Sequence, residues 1–374
     1  MWPFVPLLPP RFEAALRDVR SADPYFRLCA AERLGDLSES DGVSDARNQA
    51  LLALNSLLAD PCPEVRAAAI CSLGQLRAHD SLDLILERLE SELQSEDGVS
   101  EAAVIAAGKI GGGRAKEAVS RLCHHPRPTL RASAVWAYAL LAPEEARPLI
   151  ALALHDEAQC VRLSAIEALA LLEPTEEAKE RLARLLHDED EAVVEESALA
   201  LAQMGDKRAI PVLVRMLRNS LRPFEVLAGL GELRAQEAIP LIEAIGRSPL
   251  RSLLLRAAAS AALIRIGSPN GKALFEKCFR AWRTHARTYC VNLIGELGLV
   301  EYVPDLVRMI ERPKGADRAA ILSALFKLSS KSEQARLAYA QACARSDWIG
   351  KLAREIGQKS EAKAPPPSPR FFLA

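Results

Sequence analysis

Apolar residues along this chain recur mostly at spacings of three and four, with no sustained alternation, and that pattern predicts helices and no sheet. The stretch from Asp60 to Leu76 shows the unit. Asp60 and Pro61 supply a side-chain oxygen and a fixed backbone angle suited to a first helical turn. Val65, Ala69, Leu73 and Leu76 then fall on one helical face. Ala67, Ala68 and Ala69 leave little bulk on the flanks, so a neighbouring helix can approach closely on more than one side.

The phrase returns. An Arg followed seven residues later by an apolar residue occurs at Arg27 and Leu34, Arg66 and Leu73, Arg131 and Tyr138, and Arg162 and Leu169. It occurs again at Arg256 and Leu263, Arg287 and Ile294, and Arg318 and Leu325, with Val194 in the Arg position before Leu201. From Arg131 onward these positions lie 31 to 32 residues apart, one copy near Glu225 being blurred. A fixed period in this range marks stacked two-helix units. A second phrase, carrying Pro148, Pro211, Pro240 and Pro304, precedes four of the copies and predicts the partner helix, with its proline in the first turn where the missing N–H has no bond to lose.

These two phrases together resemble the HEAT repeat, and the Val-Arg-x-x-Ala form of the second helix is most similar to the HEAT-like subtype of phycobilin lyase subunits, over roughly residues 23 to 345. The resemblance implies an all-α fold, a right-handed α-solenoid of about ten helical hairpins. It also implies a ladder between repeats built from an Asp before the second helix and an Arg six residues later. Asp60 with Arg66 and Asp156 with Arg162 match that pair in full, and most other copies keep only the Arg. Such arrays serve as scaffolds, transport receptors, enzyme subunits and, rarely, enzymes, so the resemblance speaks to fold rather than to function.

The predicted organisation is a cap over residues 1–22, one elongated repeat domain over 23–358, and a proline-rich, disordered tail over 359–374. Ser38 to Asp45 reads as a polar insertion. The tail ends in Phe371-Phe372-Leu373, either a frayed end or a short docking peptide. Eight cysteines without a C-x-x-C pair predict free thiols in a reducing cytoplasm. The first ten residues lack a positive leader region, and no run approaches the roughly 18 apolar residues of a spanning helix, so a soluble, cytoplasmic protein without membrane insertion is expected.

Candidate chemistry is sparse. Gly111-Gly112-Gly113 follows a helix and lacks the Lys-Ser/Thr ending of a phosphate loop, so it predicts a turn. His155-Asp156 and His187-Asp188 stand one period apart, where the repeat calls for a capping residue, and the aspartates read as helix caps rather than metal ligands. No nucleophile elbow is present. The expectation is a non-enzyme with no metal and no cofactor.

Charge is distributed unevenly along the chain. Residues 1–196 hold 20 Lys and Arg against 34 Asp and Glu, and residues 197–374 hold 28 against 15, so the overall formal charge of −1 is a cancellation between two halves. Asp188 to Glu196 packs six carboxylates into nine residues. From Arg247 to Arg287 there are nine basic residues against the single acid Glu276, with Phe275, Phe279 and Trp282 interleaved. Such asymmetry speaks to partners. By the resemblance, the Val-Arg helices line a concave side, which directs Glu191, Glu195, Arg251 and Arg283 inward and Lys272, Lys277 and Arg280 outward or along the edge; these seven are the candidate partner-binding residues. The first reading is a non-enzymatic adaptor gripping a protein segment, its acidic and basic halves fixing the orientation. The second is a nucleic-acid binder using the basic repeats. The third, by the resemblance, is a lyase-type or chaperone subunit holding a chromophore or a modified protein.

Overall fold

The computed structural model describes residues 12–36, 44–219, 221–311 and 316–361. Residues 38–43 of the predicted insertion and 362–374 of the predicted tail, with Phe371, Phe372 and Leu373, lie outside the described residues, whereas 44–45 and 359–361 are helical, so the insertion ends earlier and the last helix runs further than expected. Among the described residues all regular structure is helical, and the chain divides into two compact units, one running to Arg181 and the other from Leu182.

The first unit contains α1 (Phe12–Asp18), α2 (Pro24–Gly35), α3 (Ser44–Leu57), α4 (Pro63–Gln75), α5 (Leu82–Ser91), α6 (Val99–Ile110), α7 (Gly113–Leu122), α8 (Pro128–Leu141), α9 (Pro143–Ala153), α10 (Gln159–Ala170) and the start of α11 (Glu176–Leu185). The second contains the end of α11, α12 (Glu191–Gln203), α13 (Ile210–Asn219), α14 (Pro223–Glu232), α15 (Ile239–Arg247), α16 (Leu253–Ile266), α17 (Asn270–Phe279), α18 (Thr284–Leu297), α19 (Val303–Ile310), α20 (Arg318–Leu328), α21 (Glu333–Ala344) and α22 (Trp348–Glu361). Apart from α11, each odd-numbered helix packs on the even-numbered helix after it, the predicted hairpin, and the Arg phrase falls on the even-numbered helices.

The two rows differ in chemistry. Odd-numbered helices are amphipathic: α19 buries Val303, Leu306, Met309 and Ile310 and exposes its charged residues. Several even-numbered helices, α6, α8 and α16 among them, are covered on nearly every side, and every residue of α6 except Lys109 is buried. A helix that is apolar all round belongs inside a core. Within each unit successive even-numbered helices pack intimately, whereas successive odd-numbered ones barely touch.

Glycine sets that close approach. A Cβ on Gly74 would lie 2.8 Å from the Ala106 Cα, and one on Gly108 would lie 2.7 Å from the Ala137 Cβ and 2.9 Å from its Cα. The same contact recurs between Gly295 and Ala324. Polar rivets reinforce it: the Ser72 hydroxyl donates to the Ala31 carbonyl at 2.9 Å and the Ser164 hydroxyl to the Ala132 carbonyl at 2.6 Å. Gly to Ala in a helix interior ordinarily gains up to about 1 kcal/mol. Gly108→Ala is expected instead to lose about 1–3 kcal/mol, because only separation of α6 from α8 relieves the overlap. Gly229→Ala, whose Cβ would meet Ala202 at 3.1 Å, is expected to stay within about 0.5 kcal/mol of wild type. Urea denaturation of both variants checks the contrast.

Two sequence expectations need correction. Pro148 is not in a first turn: α9 starts at Pro143 and carries Pro148 inside. Pro240 and Pro304 do sit in the first turn, each preceded by a short 3-10 turn, Gln236–Ala238 or Val300–Tyr302, that α9 lacks. Secondly, α4 begins at Pro63 with Cys62 as its cap, and the Asp60 carboxylate accepts from the Cys62 N–H at 2.9 Å, ahead of the helix. Asp156 does the same for Ala158 at 2.9 Å and Asp188 for Asp190 at 3.0 Å, so these aspartates shape the turn rather than cap the first helical turn itself. The triple glycine is a turn as predicted, Gly111 and Gly112 taking φ of 86° and 99°, a region closed to side chains with a Cβ at little cost.

Candidate interaction surface

The surface with most character is the edge formed by the turns that lead into the even-numbered helices, because there the repeat's Arg and the residues before it meet. In the first unit these turns are closed by ion pairs. Arg27 grips Asp60 through Nε at 2.6 Å and Nη2 at 2.8 Å, and its Nη1 donates to the Ser21 carbonyl at 3.0 Å. Arg66 reaches Glu92 at 2.9 Å and Asp97 at 3.3 Å and donates to the Asp60 carbonyl. Arg131 holds Asp156 at 3.0 and 2.8 Å and donates to the carbonyls of His125 and Pro126. The ladder thus joins neighbouring repeats by side chains and anchors each Arg to its own turn by main chain. Glu92 and Asp97 fill a rung that the two-residue motif did not name.

Arg27 beside Asp60, helped by the Cys62 N–H and opposed by burial, holds that carboxyl below its ordinary value. For Asp156 burial pushes upward, but the Arg131 guanidinium and the Ala158 N–H outweigh it and the carboxyl again stays low.

In the second unit the same turns change character. Leu221 is 100% exposed, Leu250 93% and Trp282 80%, and all three stand just before α14, α16 and α18. The Arg283 guanidinium lies over the Trp282 ring, 5.4 Å from its centroid, and Arg318 lies over Trp348 at 5.2 Å. Arg251 is exposed on the turn before α16, and Arg280 and Arg283 flank Trp282 before α18. Lys277 is exposed near the end of α17, and Arg280 pairs with Glu276 one turn back.

The other predicted site residues fall elsewhere. Lys272 is near the start of α17, about 12 Å along the helix from Arg280, and pairs with Glu301 at 2.7 Å. Glu191 opens α12 and pairs with Arg215 of α13 at 3.0 Å, and Glu195 is half-buried one turn later. Glu191 stands at a helix start, and Arg251 and Arg283 on the turns just before helices. Nor is there a bare face along α16, where Phe224 of α14 and Tyr289 of α18 meet edge to face at 6.2 Å. Phe275 and Phe279 are not surface aromatics either. Four residues apart, they fall on the buried stripe of α17 and pack edge-on against Tyr302 at 5.7 and 5.2 Å. Sequence reasoning overlooked Leu221, Leu250 and Trp348; for the two leucines the available signal was a large apolar residue in a turn, whereas Trp348 opens α22.

Clefts also open between odd-numbered helices, where packing is loose. One of about 510 Å³ lies between α5 and α7, with Glu87, Glu90 and Glu117 on its walls and an Arg114–Asp83 ion pair across it. Another of about 260 Å³ lies between α9 and α11.

A family model described as HEAT repeats matches residues 9–96, 50–139 and 146–224, together more than half of the chain. The chain belongs to the HEAT-repeat family. Its HEAT hairpins are the pairs described above, and the Asp–Arg rungs of the first unit are their ladder. Among solved structures, the complex of CpcE and CpcF of phycocyanin lyase from Nostoc sp. PCC7120 is similar at 22% identity and a TM-score of 0.46, over 64% of this chain and 94% of that one. Human deoxyhypusine hydroxylase in complex with glycerol is similar at 19% and 0.33, over 68% and 96%. Kap95p, bound to RanGDP, is similar at 12% and 0.40, over 96% and 52%. No curated protein sequence matches the chain. Among the described residues no helix is long and apolar enough to cross a membrane.

Proposed function

We propose that this HEAT-repeat protein is a non-enzymatic adaptor that binds a protein segment along the turn edge of its second unit. The observation that carries the reading is the run of exposed Leu221, Leu250 and Trp282 beside the cations Arg251, Arg280 and Arg283. Buried apolar anchors supply most of the affinity of an interface, and flanking charge sets encounter rate and register. An acidic partner complements these cations. The eight free thiols support a reducing, cytoplasmic setting: burial pushes those of Cys123 and Cys290 up to about 12, out of reactive range.

The test is charge reversal. With Arg251, Lys277, Arg280 and Arg283 all changed to Glu, partner capture in a pull-down coupled to mass spectrometry is expected to be abolished while the helical circular dichroism persists. Undiminished capture overturns the reading. A salt titration separates it from nucleic-acid binding, for which log affinity falls against log salt by about 0.9 per phosphate contact.

A further inference from the structure

In the second unit Arg256 holds the repeat's Arg position without the acid that answers Arg131 in the first. Arg131 is the fourth residue of α8, and the Asp156 that it grips stands three residues before α10. Arg256 is the fourth residue of α16, and three residues before α18, at the same separation of 25, stands Ala281. The rung is missing its carboxylate. Arg131 makes two bonds to Asp156 and two to carbonyls of its own turn. Arg256 spends Nε on the Gly246 carbonyl at 3.1 Å, and its two Nη groups have no protein partner among the described residues. Its side chain is half-buried, so this is a partly desolvated fork rather than a free surface cation. A guanidinium in such a setting favours a bidentate carboxylate.

We infer that Arg256 is an open carboxylate seat, filled by an Asp or Glu of the partner segment, whose neighbouring apolar side chains rest on Leu250 and Trp282. This rests on the adaptor reading and names its ligand: an acidic segment with leucine or aromatic residues beside the acid. The two turns that frame the seat also hold Arg251 and Arg283, so the local charge matches such a segment throughout. Leu250 and Leu221, almost wholly exposed, match apolar side chains and have no stacking face for a base, which sets a protein segment ahead of a nucleic acid.

Filling the rung from within the chain tests this. Ala281→Asp places a carboxylate where Asp156 stands relative to Arg131, and is expected both to raise Tm and to compete with the ligand. The probe is a short fluorescein-labelled peptide alternating Glu with Leu and Phe, titrated by anisotropy into the full chain at low salt. Wild type is expected to bind it; Ala281→Asp to bind at least about tenfold more weakly, the scale of one charge-assisted contact; and Ala281→Asn, of similar bulk, to stay near wild type. Should Ala281→Asp fold poorly, Arg256→Gln decides instead, with the same tenfold loss at unchanged circular dichroism. Wild-type affinity in the deciding variant overturns the seat; if the four-site reversal still abolishes binding, the adaptor reading survives. No peptide binding to wild type overturns both, as does tighter binding of an oligothymidylate than of the peptide.

Discussion

Asp60→Ala is expected to cost about 3–5 kcal/mol, the range for removing one partner of a buried ion pair and leaving the other charge uncompensated. Its side chain is 5% exposed and that of Arg27 12%, and the two bonds between them join α2 to the turn before α4. The Ser21 and Ala22 carbonyls keep Arg27 in place after the substitution, so its charge stays in the site without an acid. Glu301→Ala is the control. Its pair with Lys272 is 67% and 44% exposed and should contribute under about 1 kcal/mol. Urea midpoints of both variants check the difference, and comparable losses would remove the ladder from the account of stability. The wild type should also respond to acid. Because the folded Asp60 and Asp156 carboxyls lie below their unfolded values of about 3.9, their contribution is present above about pH 4 and is lost as pH falls through the folded values. The Asp60→Asn, Asp156→Asn double variant should start less stable and lose less between about pH 5 and pH 2.

The fold was legible in the sequence because its determinants are local and repeated. Apolar spacing, a turn before each helix and an Arg at one phase fix each hairpin alone, and the repetition forces stacking. What escaped was set by contacts between repeats. Glu92 and Asp97 serve Arg66 from outside the motif, and only the approach of the α5–α6 turn to α4 reveals them. The candidate site was half legible for the same reason. Charge counting found Arg251, Arg280 and Arg283, which the turns gather on one edge, but it also collected Lys272 and Glu191, which are tied to Glu301 and Arg215 elsewhere. Interleaving suggested three aromatics on that surface, where burial leaves Trp282 and takes Phe275 and Phe279 into the core against Tyr302. A missing rung is visible only once Arg131 and Arg256 are superposed by their places in their helices; a motif search registers the Arg and passes over the Ala.

Leu169→Ala is expected to cost about 2–5 kcal/mol, the range for truncating a buried leucine, and Glu173→Ala under about 0.5. Leu169 lies seven residues after Arg162 on α10 and is 6% exposed. It also borders the cleft between α9 and α11, so the void left by truncation adjoins space that water already enters, and the lower half of the range follows. Glu173 is four residues further on, exposed, past the end of α10; its carbonyl receives Arg147, a bond that truncation of the side chain leaves alone. The two residues test the phase of the repeat, since a shift of the apolar face would exchange their costs. Thermal melts and urea curves of the two variants supply the comparison. Equal losses would break the link from the Arg phrase to the buried face on α10, and with it the alignment that puts Arg131 with Arg256 and Asp156 with Ala281. Because each hairpin is supported by its neighbours alone, the damage from Leu169→Ala should also be local before it is global. Hydrogen exchange is expected to quicken first in α9 and α10, while α4 and α18 keep wild-type protection until the main transition.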